Sequence, residues 1–105
     1  MEINLLYFDG CPSWQQGLEN LKAALTEEGI RARINLIKVE DYAKAVRLKF
    51  SGSPSFQIDG VDLWLEESTN YAFSCRVYTT PEGMKGMPTV EMLRQKLRLF
   101  SKHTP

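Results

Sequence analysis

Apolar residues recur along this chain with a period that changes, and the changes predict the order of its strands and helices. Residues 3–8 are almost continuously apolar, which is typical of a strand buried on both faces. The apolar positions then recur every third or fourth residue, as on one face of a helix; they are Trp14, Leu18, Leu21 and Leu25. Gly29 is a typical helix stop. Residues 31–39 then alternate between apolar and polar side chains, which predicts a second strand.

The rest of the chain predicts a short helix, a hairpin and a final helix. The short helix covers residues 41–49 and is broken by Gly-Ser-Pro at Pro54. Two strand-like runs, residues 55–58 and 61–64, flank an Asp-Gly pair that favours a two-residue hairpin turn. Residues 65–87 are expected to form an irregular insertion or lid. After it, apolar residues at helical spacing predict an amphipathic helix, followed by a tail over residues 101–105.

These elements predict a single α/β domain over residues 1–105. A strand, a helix and a second strand form a βαβ unit, whose strands must be parallel with a right-handed crossover. The hairpin adds antiparallel strands to the same sheet. We therefore expect a mixed four-stranded sheet flanked by three helices.

Composition and charge exclude several classes of partner. The chain has 105 residues, enough for one hydrophobic core, and its 13 basic and 13 acidic residues cancel. Without a basic patch, nucleic acid is not an expected partner. No apolar run is long enough to span a bilayer, and the first residues lack the pattern of a signal peptide. We expect a cytoplasmic protein with no membrane partner and no cofactor, and its oligomeric state stays open.

Chemistry is expected at Cys11, which follows the first strand and precedes the first helix. Cytoplasmic thiols are normally reduced, so the two cysteines of this chain are expected to be reactive, metal-binding or simply buried. Pro12 suits the first helical position. A thiol at a helix N-terminus has its pKa lowered from about 8.5 toward neutrality, because the helix dipole and free N–H groups favour the thiolate. The alternative is that Cys11 is only a small residue accommodated in a tight turn.

Two short motifs resemble the thioredoxin-like superfamily. The first strand ends in Asp-Gly-Cys-Pro at Pro12, and a later Gly-Ser-Pro-Ser, which contains Ser53 and Pro54, opens the hairpin. The resemblance implies a cis peptide bond at Pro54, packed against the active-site Cys11, and a Ser53 backbone free to pair with an extended substrate. It departs from the usual Cys-x-x-Cys motif, because the chain reads Cys-Pro-Ser-Trp and Trp14 occupies the position of the second cysteine.

Within this predicted topology, Cys75 is the candidate partner of Cys11. The hairpin starts near the end of the sheet that carries Cys11 and returns to it, so residues 65–87 begin at the same end. Cys75 is then a possible resolving thiol, with Arg76 close enough to favour a thiolate. The alternative is that Cys75 is a buried residue of a short strand, sharing one face with Phe73 and Val77.

The segment around Cys75 also shows a weak local similarity to a cysteine-bearing segment of alkylmercury lyases. Those enzymes cleave carbon–mercury bonds with two cysteines and an acid, and in this chain the acid would be Asp9 or Asp62. A histidine-based metal site is not expected, because the single histidine, His103, lies in the tail.

Three functions follow as hypotheses. The first is a thiol–disulfide oxidoreductase-like protein in which Cys11 is the nucleophile, Cys75 is the resolving thiol, and Pro12, Ser53 and Pro54 contact the substrate. Its partner would be a protein or small-molecule disulfide or thiol. The second is a thiol-based binder of soft metals or mercurials, and the third is an interaction domain without redox activity.

Overall fold

The computed structural model of the protein describes residues 1–64 and 74–102. Its strands are β1 (Glu2–Tyr7), β2 (Arg33–Lys38), β3 (Ser55–Ile58), β4 (Val61–Asp62), β5 (Tyr78–Thr80) and β6 (Gly83–Lys85). Its helices are α1 (Ser13–Glu28), α2 (Tyr42–Arg47) and α3 (Val90–Lys102). In these two stretches of chain, no helix combines the length and the apolar character needed to cross a membrane.

The main sheet has four strands in the order β2-β1-β3-β4. β1 runs parallel to β2, with Leu5 opposite Leu36, and antiparallel to β3, with Leu5 opposite Phe56. The central position of β1 explains why its sequence is apolar on both faces. The predicted α/β fold, with a parallel β1–β2 pair, an added hairpin and three helices, is confirmed.

The helices cover both faces of the sheet. The larger apolar cluster joins one face to α1 and α3; its most buried members are Ile3, Leu5, Leu21, Ala24, Phe56, Tyr78, Leu93 and Leu97. The smaller cluster joins the other face to α2; its members are Leu6, Val39, Ala45 and Phe50. Because neighbouring residues of a strand point to opposite faces, Leu5 and Leu6 of β1 belong to different clusters.

Charged side chains fasten the end of α1 to α3. Gly29 ends α1 in the left-handed conformation, with φ of 65°, as the sequence predicts. One residue earlier, the Glu28 carboxylate accepts hydrogen bonds from Arg94 at 2.8 Å and from Arg98 at 2.9 and 3.0 Å. These hydrogen bonds, from Arg98 first and then Arg94, lower the pKa of Glu28 to about 2.

Two expectations about the second half of the chain are wrong. β4 ends at Asp62, because the Asp62 side chain accepts a hydrogen bond from the Trp64 N–H at 2.7 Å and turns the chain into the core. The segment expected to be irregular contains a second hairpin, β5–β6, whose turn uses Gly83 at φ of 107°. The rest of the expected insertion, residues 65–73, and residues 103–105 of the expected tail lie outside the described residues.

Candidate functional site

Cys11 lies in the short connection between β1 and α1. Its N–H donates to the carbonyl of Phe8 at 3.3 Å, which closes a turn at the end of the strand. Pro12 is the N-cap of α1 rather than its first helical residue, so the helix begins at Ser13, one residue later than predicted. The Pro12 side chain makes no capping hydrogen bond. The sulfur of Cys11 therefore belongs to the residue immediately before the N-cap of α1.

Cys11 and Cys75 form a disulfide bond. Their Cα atoms are 5.7 Å apart, within the usual range for a disulfide. The two residues differ sharply in burial, because Cys11 is only 2% exposed whereas Cys75 is exposed. The interpretation of Cys75 as a buried strand residue is therefore wrong, and Val77 on the same segment is also exposed.

The Ser53–Pro54 peptide bond is cis and lies beside this disulfide. The carbonyl oxygen of Ser53 is 3.6 Å from the sulfur of Cys11. The Ser53 N–H donates to the carbonyl of Ser74 at 2.8 Å, and the Ser53 carbonyl accepts from the N–H of Arg76 at 3.0 Å. These two bonds form a parallel bridge between Ser53 and Cys75. The Ser53 backbone is therefore occupied by the chain's own residues 74–76, contrary to the expectation that it is free for a substrate.

Arg76, next to Cys75, forms a buried ion pair with Asp62. Its guanidinium donates to the two carboxylate oxygens at 2.7 and 3.2 Å, and both residues are less than a tenth exposed. The same guanidinium donates to the Trp64 carbonyl and to the hydroxyl of Ser55, each at 3.3 Å. Its charge is balanced by Asp62, and these contacts make Arg76 an anchor for the segment that carries Cys75.

Two further contacts hold the segment against the cis-proline turn. The Tyr78 hydroxyl donates to the carbonyl of Pro54, and the Tyr78 ring lies 4.9 Å from the guanidinium carbon of Arg76. Gly52 has φ of 113°, and a Cβ atom there would lie 2.9 Å from the Cβ of Arg76. Glycine at this position therefore permits both the turn and the close approach of Arg76.

An aromatic side chain takes the place of the missing second cysteine of the motif. Trp14 is half-buried and stacks on Tyr7, with ring centroids 4.1 Å apart. One helical turn later, a Cβ on Gly17 would lie 3.1 Å from Pro54 Cγ, so α1 packs directly on the cis-proline. Trp14 thus contributes packing at the start of α1, and the sulfur partner of Cys11 comes from the far segment instead.

A pocket opens beside the β1–α1 connection. It has a volume of about 340 Å³ and is lined by Phe8, Asp9, Gly10, Lys38, Val39 and Glu40. These residues lie at the carboxyl ends of the parallel strands β1 and β2, where α/β proteins commonly bind ligands. Asp9 accepts from Lys38 at 2.7 Å, and this hydrogen bond raises the pKa of Lys38.

Neither acid suggested by the alkylmercury lyase similarity is unpaired, because Asp9 bonds Lys38 and Asp62 bonds Arg76. In the stretches 1–64 and 74–102, no group of three or more histidine, cysteine or acidic residues is arranged to hold a metal ion.

The structure thus brings together Cys11, Ser53, Pro54 and Cys75, all of which are predicted from the sequence. The anchor formed by Arg76, Asp62 and Tyr78 is not predicted from the sequence. Its only signal in the sequence is a pair of opposite charges within otherwise strand-like runs.

No family model, no curated protein and no solved structure matches the chain.

Proposed function

We propose that this protein is a thioredoxin-like thiol–disulfide exchange protein whose redox couple is Cys11 and Cys75. The element order and the sheet order β2-β1-β3-β4 support the thioredoxin-like assignment. So does the position of the cis Ser53–Pro54 bond beside the cysteine that precedes α1. Partners of this couple would be thiols or disulfides of proteins or small molecules.

One observation carries the proposal: the disulfide joins a cysteine at a helix N-terminus to a cysteine that is exposed to solvent. Disulfide exchange needs an accessible sulfur and a thiolate that leaves readily. An exposed Cys75 supplies the first requirement. The position of Cys11 before α1 supplies the second, because a helix N-terminus stabilises a thiolate.

The surroundings of Cys75 favour a reversible bond. The ion pair of Arg76 with Asp62 and the hydrogen bond from Tyr78 to Pro54 do not involve either sulfur atom. After reduction these contacts keep the two thiols near each other, so the disulfide can form again within the same chain. A high local concentration of one thiol beside the other is what a two-cysteine redox couple requires.

The experiment is a catalytic assay of exchange between glutathione and a small disulfide, with the wild-type protein and three variants. The variants are Cys11→Ser, Cys75→Ser and the double substitution. We expect the wild type to accelerate exchange above the buffer rate, and each variant to lose that acceleration because the intramolecular disulfide cannot form.

Circular dichroism of the variants checks that they are folded. If the wild type and the double variant exchange at the same rate, and the wild-type disulfide withstands a large excess of reduced glutathione, the bond is a structural staple. That result would reject the proposed function.

A further inference from the structure

We propose that Cys75, and not Cys11, is the sulfur that exchanges with the partner, and that Cys11 is the thiolate that leaves and later closes the disulfide. This inference rests on the proposed function and reverses the roles that the sequence suggests for the two cysteines. It follows from the unequal burial of the two cysteine residues and from the contacts around them.

Access to the Cys11 sulfur is blocked on the folded protein. Cys11 is 2% exposed, and the carbonyl oxygen of Ser53 lies 3.6 Å from its sulfur. An incoming thiolate approaches a disulfide sulfur along the line of the bond, from the side opposite the sulfur that leaves. Because Cys11 is almost fully buried, a thiolate has little access to its sulfur, and the nearby Ser53 carbonyl oxygen also repels negative charge. Access is one of the factors that set the rate of exchange at each sulfur.

The segment bonded to Cys11 is held in place. Residues 74–76 pair with Ser53 through two backbone hydrogen bonds, and the Arg76 side chain forms a buried ion pair with Asp62. An extended peptide therefore cannot pair with the Ser53 backbone unless this segment is displaced. Cys75 belongs to the same segment but is exposed, so it is the cysteine that an incoming thiolate can approach more readily.

The reaction then proceeds in two balanced steps. A partner thiolate attacks Cys75 Sγ, a sulfur–sulfur bond to the partner forms, and the Cys75–Cys11 bond breaks with its electron pair left on Cys11 as a thiolate. A second partner thiolate attacks the partner sulfur of the mixed disulfide. This releases the partner as its own disulfide and leaves Cys75 as a thiolate. The two partner thiols are oxidised by two electrons and the protein disulfide is reduced by two.

In the opposite direction, the Cys75 thiolate attacks a partner disulfide and expels one partner thiolate. Cys11 then attacks Cys75 Sγ, expels the second thiolate and restores the protein disulfide. Cys11 suits both roles because it lies next to the N-terminus of α1, where a thiolate is stabilised, and a stabilised thiolate leaves more readily.

The test is to locate the two sulfurs during reduction of the oxidised wild-type protein by glutathione. The reaction is quenched with iodoacetamide after short intervals, and the peptides are mapped by mass spectrometry. We expect glutathione on Cys75 and the alkyl label on Cys11 in the earliest intermediate. Glutathione on Cys11 and the label on Cys75 would overturn the assignment while leaving the proposed function intact. A native protein that forms no mixed disulfide would overturn both.

A second measurement uses single-cysteine variants, which cannot re-form the disulfide. Cys11→Ala leaves only Cys75 and Cys75→Ala leaves only Cys11, and each is treated with Ellman's reagent with and without urea. We expect Cys11 in the native Cys75→Ala protein to react at least tenfold more slowly than Cys75 in Cys11→Ala, with the difference lost in urea. Equal or faster reaction of native Cys11 would contradict the assignment.

Discussion

Reduction of the Cys11–Cys75 bond should lower the stability of the protein by an amount set by the separation of the two cysteines along the chain. The two cysteines are 64 positions apart, so the bond closes a long loop in the unfolded chain. In the chain-entropy treatment, a cross-link that closes a loop of this length lowers the entropy of the unfolded chain by about 14 cal/mol/K. This stabilises the folded protein by about 4 kcal/mol at 25 °C. Small domains are stable by about 5–15 kcal/mol in total, so the reduced protein should stay folded with a much smaller margin.

The assay is urea unfolding followed by far-UV circular dichroism, with and without excess dithiothreitol. We expect the unfolding midpoint to fall on reduction. The dependence of the free energy on urea should steepen, because the unfolded chain is more expanded and exposes more surface without its cross-link. The double variant Cys11→Ala/Cys75→Ala is the control, since it should match the reduced wild type and not respond to dithiothreitol.

Near-UV circular dichroism tests whether the segment that carries Cys75 stays in place after reduction. The contacts of Arg76 and Tyr78 do not involve sulfur, so the environment of Tyr78 should be unchanged in the reduced protein without urea. An unchanged midpoint would refute the loop-entropy argument. Loss of the near-UV signal on reduction would refute the claim that the segment is anchored independently of the disulfide.

Three further substitutions test the contacts that shape the site and the helix pair. Arg76→Met should destabilise the oxidised protein by about 3–5 kcal/mol in urea, because it leaves a buried carboxylate unpaired. Arg47→Met, at an exposed position of α2, should change stability by less than about 0.5 kcal/mol, and equal losses would contradict the assignment of an anchor.

Gly52→Ala should cost more than Gly60→Ala in the same assay. Both glycines have positive φ, but only at Gly52 would the added Cβ meet Arg76, so equal costs would contradict the close packing. Wild-type stability should fall more steeply than that of Glu28→Gln as the pH drops from 4.5 to 2. The folded pKa of Glu28 is lowered to about 2, so its contribution is present above pH 4.5 and is lost below it, and parallel pH profiles would refute this.

The sequence predicts the fold well because its local signals agree with the tertiary structure. Continuous apolar character marks β1, and that strand is central in the sheet. Gly29 marks the end of α1, and it adopts the left-handed conformation that favours glycine there. The Asp-Gly pair before Val61 marks the β3–β4 turn. In each case the residues that predict the element also determine its local conformation, so the prediction does not depend on a contact with a distant part of the chain.

The site is only partly predictable, because its decisive contacts join distant segments. Periodicity cannot show that residues 74–76 pair with Ser53, since a single parallel bridge leaves no repeated pattern in the sequence. Arg76 beside a cysteine suggests an electrostatic role, but its partner Asp62 belongs to a strand 14 positions earlier. The short length of β4 has the same origin, because the Asp62 side chain that bonds Arg76 also turns the chain after the strand.

The anchor and the disulfide act on the same short segment, so their energies should be coupled. In the oxidised protein the sulfur–sulfur bond holds Cys75 in place whether or not Arg76 is present. In the reduced protein, the contacts that hold it among the residues described in the structure are the anchor and the Ser53 pairing. Arg76→Met should therefore allow the reduced segment to leave Cys11 and lower the equilibrium constant for disulfide formation. Each 1.4 kcal/mol of lost anchoring makes a tenfold difference in that constant.

Glutathione redox buffers, with the free thiols alkylated and counted by mass spectrometry, measure this constant directly. We expect it to fall at least tenfold in Arg76→Met and to be unchanged in Arg47→Met. An unchanged constant in Arg76→Met would mean that Cys75 is positioned without the buried ion pair, which then stabilises the fold without serving the redox couple. The coupling therefore distinguishes an anchor that prepares the disulfide from one that only happens to lie beside it.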